Sequence, residues 1–199
     1  MMCSSSTCYH ALRKARMAAG QTVAVFGAGG LGMSAIQLAR ACGALEVYAV
    51  DINEGKLELA RSFGAIPVNA ARADPVAEIR RLTGGKGVDV ALELVGLPET
   101  MRQSMLVLGV LGRAALVGLT QGSFPVYPYS ELLGKEAEVI GSSDHLLCEL
   151  PTLLEFGRQG KLDLARVITR TLPLEAGTIN EALDGLARFG GEVRTVIVP

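Results

Sequence analysis

The chain has 199 residues, nearly half of them apolar, with 19 basic against 20 acidic side chains and a net charge of −1. That length suits one domain with an appendage and a sizeable core, and the balanced charge gives no general pull toward nucleic acid or a membrane surface. Four scattered cysteines without a C-x-x-C (Cys3, Cys8, Cys42, Cys148) argue against a disulfide scaffold or a self-contained zinc site and favour a reducing, cytoplasmic setting.

The opening is Ser-rich and carries no acid before Glu46, as transit peptides do. Leu12, Ala15 and Ala19 nevertheless fall at helical spacing, so residues 7–19 read as an ordinary helix stopped by Gly20. Val23 to Phe26 form an apolar strand that runs into Gly27-Ala28-Gly29-Gly30-Leu31-Gly32, a G-x-G-x-x-G. Leu31, Ala35, Leu38, Ala39 and Cys42 then recur three or four apart on one helical face. A second apolar run, Val47 to Val50, ends in Asp51, nineteen residues past Gly32.

A lone glycine motif says little in a chain with 24 glycines. Here strand, glycine turn, helix, strand and acid follow at the offsets of a dinucleotide-binding βαβ unit, and each part has a physical task. Gly27 permits the tight turn, Gly29 lets a pyrophosphate approach the backbone, and Gly32 lets helix and strand pack closely. The helix start at Gly30 and Leu31 offers free N–H groups and a positive dipole end to phosphate. Asp51 would accept hydrogen bonds from ribose hydroxyls and repel a 2′-phosphate, which favours NAD over NADP.

Beyond Asp51, Asn53 caps a helix to Phe63, and Ile66-Pro67-Val68 is a third strand. Pro75 opens another helix at its first position, closed by Gly84-Gly85. Val88 to Val95 is a fourth, nearly continuous apolar strand, as expected where both sheet faces are covered. Pro98 starts a helix to about Leu108, Gly109 to Gly112 turn, and Arg113 to Val117 is strand five. Residues 122–134 read as irregular and Ala137 to Ile140 as strand six. The alternation predicts an α/β fold, a doubly wound Rossmann sheet of six parallel strands in order 3-2-1-4-5-6. The remainder changes character: a helix over Leu146–Gln159, a strand within Val167–Leu172, a helix within Leu174–Phe189 and a strand over Glu192–Val198. We divide the chain into a linking helix (1–20), the NAD-binding unit (21–163) and a C-terminal segment (164–199).

By motif order and spacing the chain resembles the medium-chain dehydrogenase/reductase family, in its zinc-dependent alcohol dehydrogenase branch. The resemblance rests on Met2 to Leu12, the glycine loop, Asp51-Ile52-Asn53, Gly87-Val88-Asp89-Val90, Leu116-Val117-Gly118 and Glu192-Val193-Arg194-Thr195. It implies that Cys3 falls on a catalytic zinc ligand and Thr7 on a threonine that touches the nicotinamide face. It further implies that Asp51 and Lys56 hold the adenosine ribose, that Val117, Gly118 and Leu119 meet the nicotinamide carboxamide, and that Arg194 pairs with the pyrophosphate. The barrel-like catalytic domain that precedes this portion in the family is absent from the sequence, and with it the other zinc ligands and most of the substrate pocket. The resemblance therefore implies the cofactor half of an enzyme that exchanges hydride between an alcohol and NAD, here binding NAD without turnover and without a zinc of its own. Residues after about Val167 would pack on the other domain, and the edge strand at 137–140 would join a homodimer.

His10 and His145 match no family ligand and read as structural or surface residues, and Cys8, Cys42 and Cys148 as packing residues. A non-catalytic NAD-binding module or partner-completed subunit is the main alternative. A zinc-free quinone or enoyl reductase fits less well, because Asp51 and Cys3 speak against it. A methyltransferase fits least, because Val23 to Phe26 offers no acid before the first glycine.

Overall fold

The computed structural model describes residues 2–187 and 191–199. At its centre β1 (Thr22–Phe26) lies between β2 (Glu46–Asp51) and β4 (Val88–Glu93), parallel to both. Outside these lie β3 (Ile66–Asn69) on one flank and β5 (Leu108–Leu116) and β6 (Glu138–Gly141) on the other. The sheet is parallel throughout, in the expected order 3-2-1-4-5-6.

Alternation explains why β1 is apolar at every inner position. Val23 and Val25 join a core on one face with Leu38, Leu57 and Leu92, while Ala24 and Phe26 join a second core with Tyr48, Val50 and Ile79. Each fully buried large side chain contributes about 1.5–3 kcal/mol relative to exposure. The first core is covered by α1 (Met2–Lys14) and α2 (Gly30–Ala41), and α3 (Glu54–Ser62) also contributes Leu57 and Ala60 to it. The opposite face takes Ile79 from α4 (Pro75–Leu82).

Local chemistry sets the helix starts. The Asn53 side chain accepts a hydrogen bond from the Lys56 N–H at 3.1 Å, and Asp74 accepts from Val76 N–H at 3.0 Å with Pro75 at the first helical position. Of the boundaries that differ from the sequence reading, two have a clear local cause. The first helix covers Met2–Lys14 instead of residues 7–19, because Arg16 adopts a left-handed φ of 50° and closes a Schellman end, with Arg16 N–H on Arg13 O and Met17 N–H on Leu12 O. Residues 109–112 belong to β5 as a bulge: the pairing jumps from Val88↔Leu108 to Val90↔Arg113, with Val110 and Leu111 pushed into solvent. Between β5 and β6, the irregular stretch holds only short helical turns at Pro128–Leu132 and Leu133–Lys135, and α5 (Pro98–Leu106) ends two residues earlier than expected.

After β6 come α6 (Leu150–Arg158), β7 (Arg170–Pro173), α7 (Ala176–Ala187) and β8 (Thr195–Val198), the two strands pairing in parallel as a separate small sheet. The expected helix limit at Phe189 lies outside the described residues. Leu153, Leu162 and Val167 are buried in the main core, so the tail is anchored to the sheet before it turns outward. Among the described residues no helix is long and apolar enough to cross a membrane.

Candidate functional site

The candidate site occupies the carboxyl ends of β1, β2 and β4, where the strand order reverses and loops diverge to both sides. Gly27 leaves β1 with φ of 96°, a left-handed geometry that glycine adopts without strain, and donates its N–H to Val50 O at 2.8 Å. Gly32 has no room for a side chain: a Cβ there would overlap the Gly27 carbonyl, so helix and strand are packed at van der Waals distance. A Cβ on Gly29 would meet nothing within 4 Å, so the turn is open on the side facing solvent. Gly29 precedes α2 without a side-chain cap, and the first-turn N–H groups at Gly30 and Leu31 point out of the helix end.

Asp51 ends β2 beside this turn. Its Oδ2 accepts from Ala28 N–H at 2.8 Å and its Oδ1 from Asn53 N–H at 2.9 Å, so the carboxylate is fixed in place at the rim. Next to it opens a mainly apolar cleft of about 170 Å³ between Val50, Ile52 and Lys56 on one wall and Val95, Leu97 and Thr100 on the other.

Arg194 approaches α2 from the far end of the chain. A Cβ on Gly30 would lie 3.0 Å from its terminal nitrogen, and the same guanidinium donates to Ser4 Oγ at 2.6 Å. The N-terminal part of α1 packs against α2 through Ser5 to Ser34 (3.3 Å) and through the Cys8 thiol, which donates to Leu31 O at 3.1 Å. Burial pushes the Cys8 thiol far above the usual range, which fits a packing residue. Thr7 is buried in the same helix one residue before Cys8. At the end of β5, Val117 and Gly118 give their N–H groups to Glu93 O at 3.0 and 3.1 Å, and Leu119 projects into solvent.

The structure therefore brings Gly27, Gly29, Gly30, Leu31, Gly32, Asp51, Lys56 and Arg194 around one turn and one cleft. Cys3 is exposed, and among the described residues no three His, Cys, Asp or Glu side chains come together as metal ligands. Zinc takes three or four protein ligands, and among the described residues Cys3 has no neighbours that complete such a set. Cys148 is exposed and Cys42 only half buried, so of the three cysteines read as packing residues only Cys8 is enclosed. His10 is structural, bonded through Nδ1 to the buried Glu149 at 3.0 Å.

Two residues of the site escape a reading by motif. Ser4 holds Arg194 across 190 positions, with no local signal. Glu93 is fully buried at the end of β4, and an acid near the close of the largely apolar run of residues 88–95 is the signal that marks it.

Fold and turn together define a doubly wound α/β unit with a glycine turn at the start of α2. Residues 30–156 match the zinc-binding dehydrogenase family model. The chain belongs to that family, within the medium-chain dehydrogenases/reductases. It is 36% identical to an NAD-dependent alcohol dehydrogenase of Sulfurisphaera tokodaii, with 100% of this chain and 56% of that protein covered. With the (R,R)-butanediol dehydrogenase of Bacillus subtilis it shares 30% identity over 98% of this chain and 56% of that protein. The alcohol dehydrogenase TADH from Thermus sp. ATN1 superposes with a TM-score of 0.88 at 30% identity, covering 98% of this chain and 56% of that one. The chain thus spans about half the length of the relatives it matches.

Proposed function

We propose that this chain binds NAD(H) and is the cofactor half of a zinc-type alcohol dehydrogenase. The carrying observation is the Asp51 carboxylate fixed beside the open Gly29 turn, with Arg194 over the helix start. The apolar cleft accepts the adenine, and Asp51 takes the ribose hydroxyls with Lys56 alongside. The N–H groups of Gly30 and Leu31 and the Arg194 guanidinium bind the pyrophosphate, since a planar guanidinium and a helix N-terminus both favour phosphate oxygens. The nicotinamide then extends toward Thr7 and the β5 exit. Because Val117 and Gly118 N–H are already taken by Glu93 O, the carboxamide is left their carbonyls and the Leu119 N–H.

Bound NAD supplies hydride-accepting chemistry; this chain's residues orient the ring and shield one of its faces. In a complete enzyme, Cys3 would join zinc ligands from another domain, and the substrate would be a small alcohol or its carbonyl product. We place the protein in the cytoplasm and its homodimer contact at β6, the last strand on its side of the sheet among the described residues. No partnership with nucleic acid or membrane is proposed.

Titration of the purified 199-residue chain by NADH fluorescence is expected to saturate, and Arg194→Ala to weaken binding about tenfold, equivalent to ~1.4 kcal/mol. With zinc and a panel of alcohols, no steady-state NADH formation is expected. Absence of saturable binding would overturn the cofactor reading, and turnover would overturn its restriction to half an enzyme.

A further inference from the structure

Glu93 stands where the loops of the cleft, the glycine turn and the β5 exit converge, and its side chain is 0% exposed. A buried carboxylate is costly unless its oxygens receive hydrogen bonds. Here one oxygen receives three: Oε1 accepts from Val95 N–H at 2.9 Å, Gly96 N–H at 2.9 Å and Thr100 Oγ1 at 2.7 Å. The other, Oε2, is buried without a partner against the backbone of Gly118, where an added Cβ would come within 2.7 Å of it.

Each donor belongs to a different part of the site. Val95 packs on the glycine turn, so that a Cβ on Gly27 would lie 2.8 Å from Val95 Cγ2. Thr100 lines the cleft beside Asp51. Gly96 passes under the β5 exit, where an added Cβ would come within 2.9 Å of Leu119 N. The Glu93 carbonyl completes the junction by accepting from Val117 and Gly118 N–H.

We propose that Glu93 is a positioning residue that locks the adenosine and nicotinamide halves of the dinucleotide site into one rim. The proposal rests on the NAD-binding reading above. A hydrocarbon side chain of equal size would fill the space but leave the three donors unpaired, and the turn carrying Val95 and Gly96 would lose its fixed distance to Leu119. With the rim fixed, a cofactor anchored through its adenosine end meets a nicotinamide end already in place.

The test compares NADH with ADP-ribose, which lacks the nicotinamide, on the full chain and on Glu93→Ala, Glu93→Gln and Thr100→Val, with a thermal melt of each. The NADH to ADP-ribose affinity ratio measures what the nicotinamide half adds once the rest is bound. It is expected to fall ~10-fold in Glu93→Ala, to stay within ~3-fold in Glu93→Gln, which keeps an acceptor oxygen, and to fall ~3-fold in Thr100→Val. An unchanged ratio in Glu93→Ala, with both ligands weakened alike, would assign Glu93 to stability only. Glu93→Gln behaving like Glu93→Ala would also overturn the proposal. Should Glu93→Ala fail to fold, an unchanged ratio in Thr100→Val overturns it instead. Failure of both ligands on the unaltered chain would reject the NAD site itself.

Discussion

In β1, Val23, Ala24, Val25 and Phe26 are fully buried, whereas in β8 Ile197 is 45% and Val198 41% exposed, although both segments read as apolar strands. The contrast extends to the helices. In α2 every residue from Gly32 to Ala39 is buried, while α7 leaves Leu183 and Leu186 more than half exposed. An apolar pattern specifies a face to be covered; it does not specify that the same chain supplies the cover. In the sheet region both faces find helices of this chain. In the tail only Leu172 of the small β7–β8 sheet is buried, and Leu174, Leu183 and Leu186 are each more than half exposed.

Substitutions sharpen the comparison. Leu38→Ala removes a fully buried side chain between α2 and the sheet and is expected to lower unfolding free energy by about 2–5 kcal/mol in a denaturant melt. An intermediate effect belongs to Glu149, where the tail meets α1. Its carboxylate accepts from His10 Nδ1 and Arg13 at 3.0 Å each and from Leu146 N–H at 3.0 Å. Burial pushes this carboxyl up, but His10, the Leu146 N–H and Arg13 together outweigh burial and hold it below its usual value of 4.5. A carboxyl depressed by folding stabilises the native state above its unfolded value and loses that contribution as pH falls through the folded one. Glu149→Gln should therefore cost about 1–3 kcal/mol at pH 7. The gap between its melting temperature and that of the unaltered chain should close as pH drops below 4.5. A gap independent of pH would show that the network contributes by shape alone. Smallest of all, Leu183→Ala should change stability by less than about 0.5 kcal/mol, since Leu183 is more than half exposed. A loss comparable to that of Leu38→Ala would mean the tail is covered in solution, by a second copy or otherwise.

What the sequence made legible follows the same division. Strand order, the glycine turn, the cap at Asn53 and the helix start at Pro75 could be read because apolar runs, glycine, proline and short polar side chains act locally. The end of α1 could not, because Arg16 takes a left-handed position usually held by glycine. The start of β5 looks like a turn in sequence because Gly109 and Gly112 bracket a bulge that pairing with β4 retains in the strand. At the site, Gly27 to Gly32 and Asp51 were legible by spacing. The contacts that hold them, Ser4 with Arg194 and Glu93 with Val95, Gly96 and Thr100, depend on the tertiary fold or on a buried acid that spacing does not rank. The exposure of Cys148 was equally out of reach, because it depends on where the segment before α6 lies on the surface.

The central claim, that this turn and its acid form an NAD site, is tested most directly by measuring NADH and NADPH dissociation constants on the same preparation. Asp51 is held at the rim by Ala28 and Asn53 N–H and cannot swing away from a 2′-phosphate without breaking both bonds. The account predicts NADH binding at least ~10-fold tighter than NADPH, a difference of about 1.4 kcal/mol. Equal or tighter binding of NADPH would contradict it.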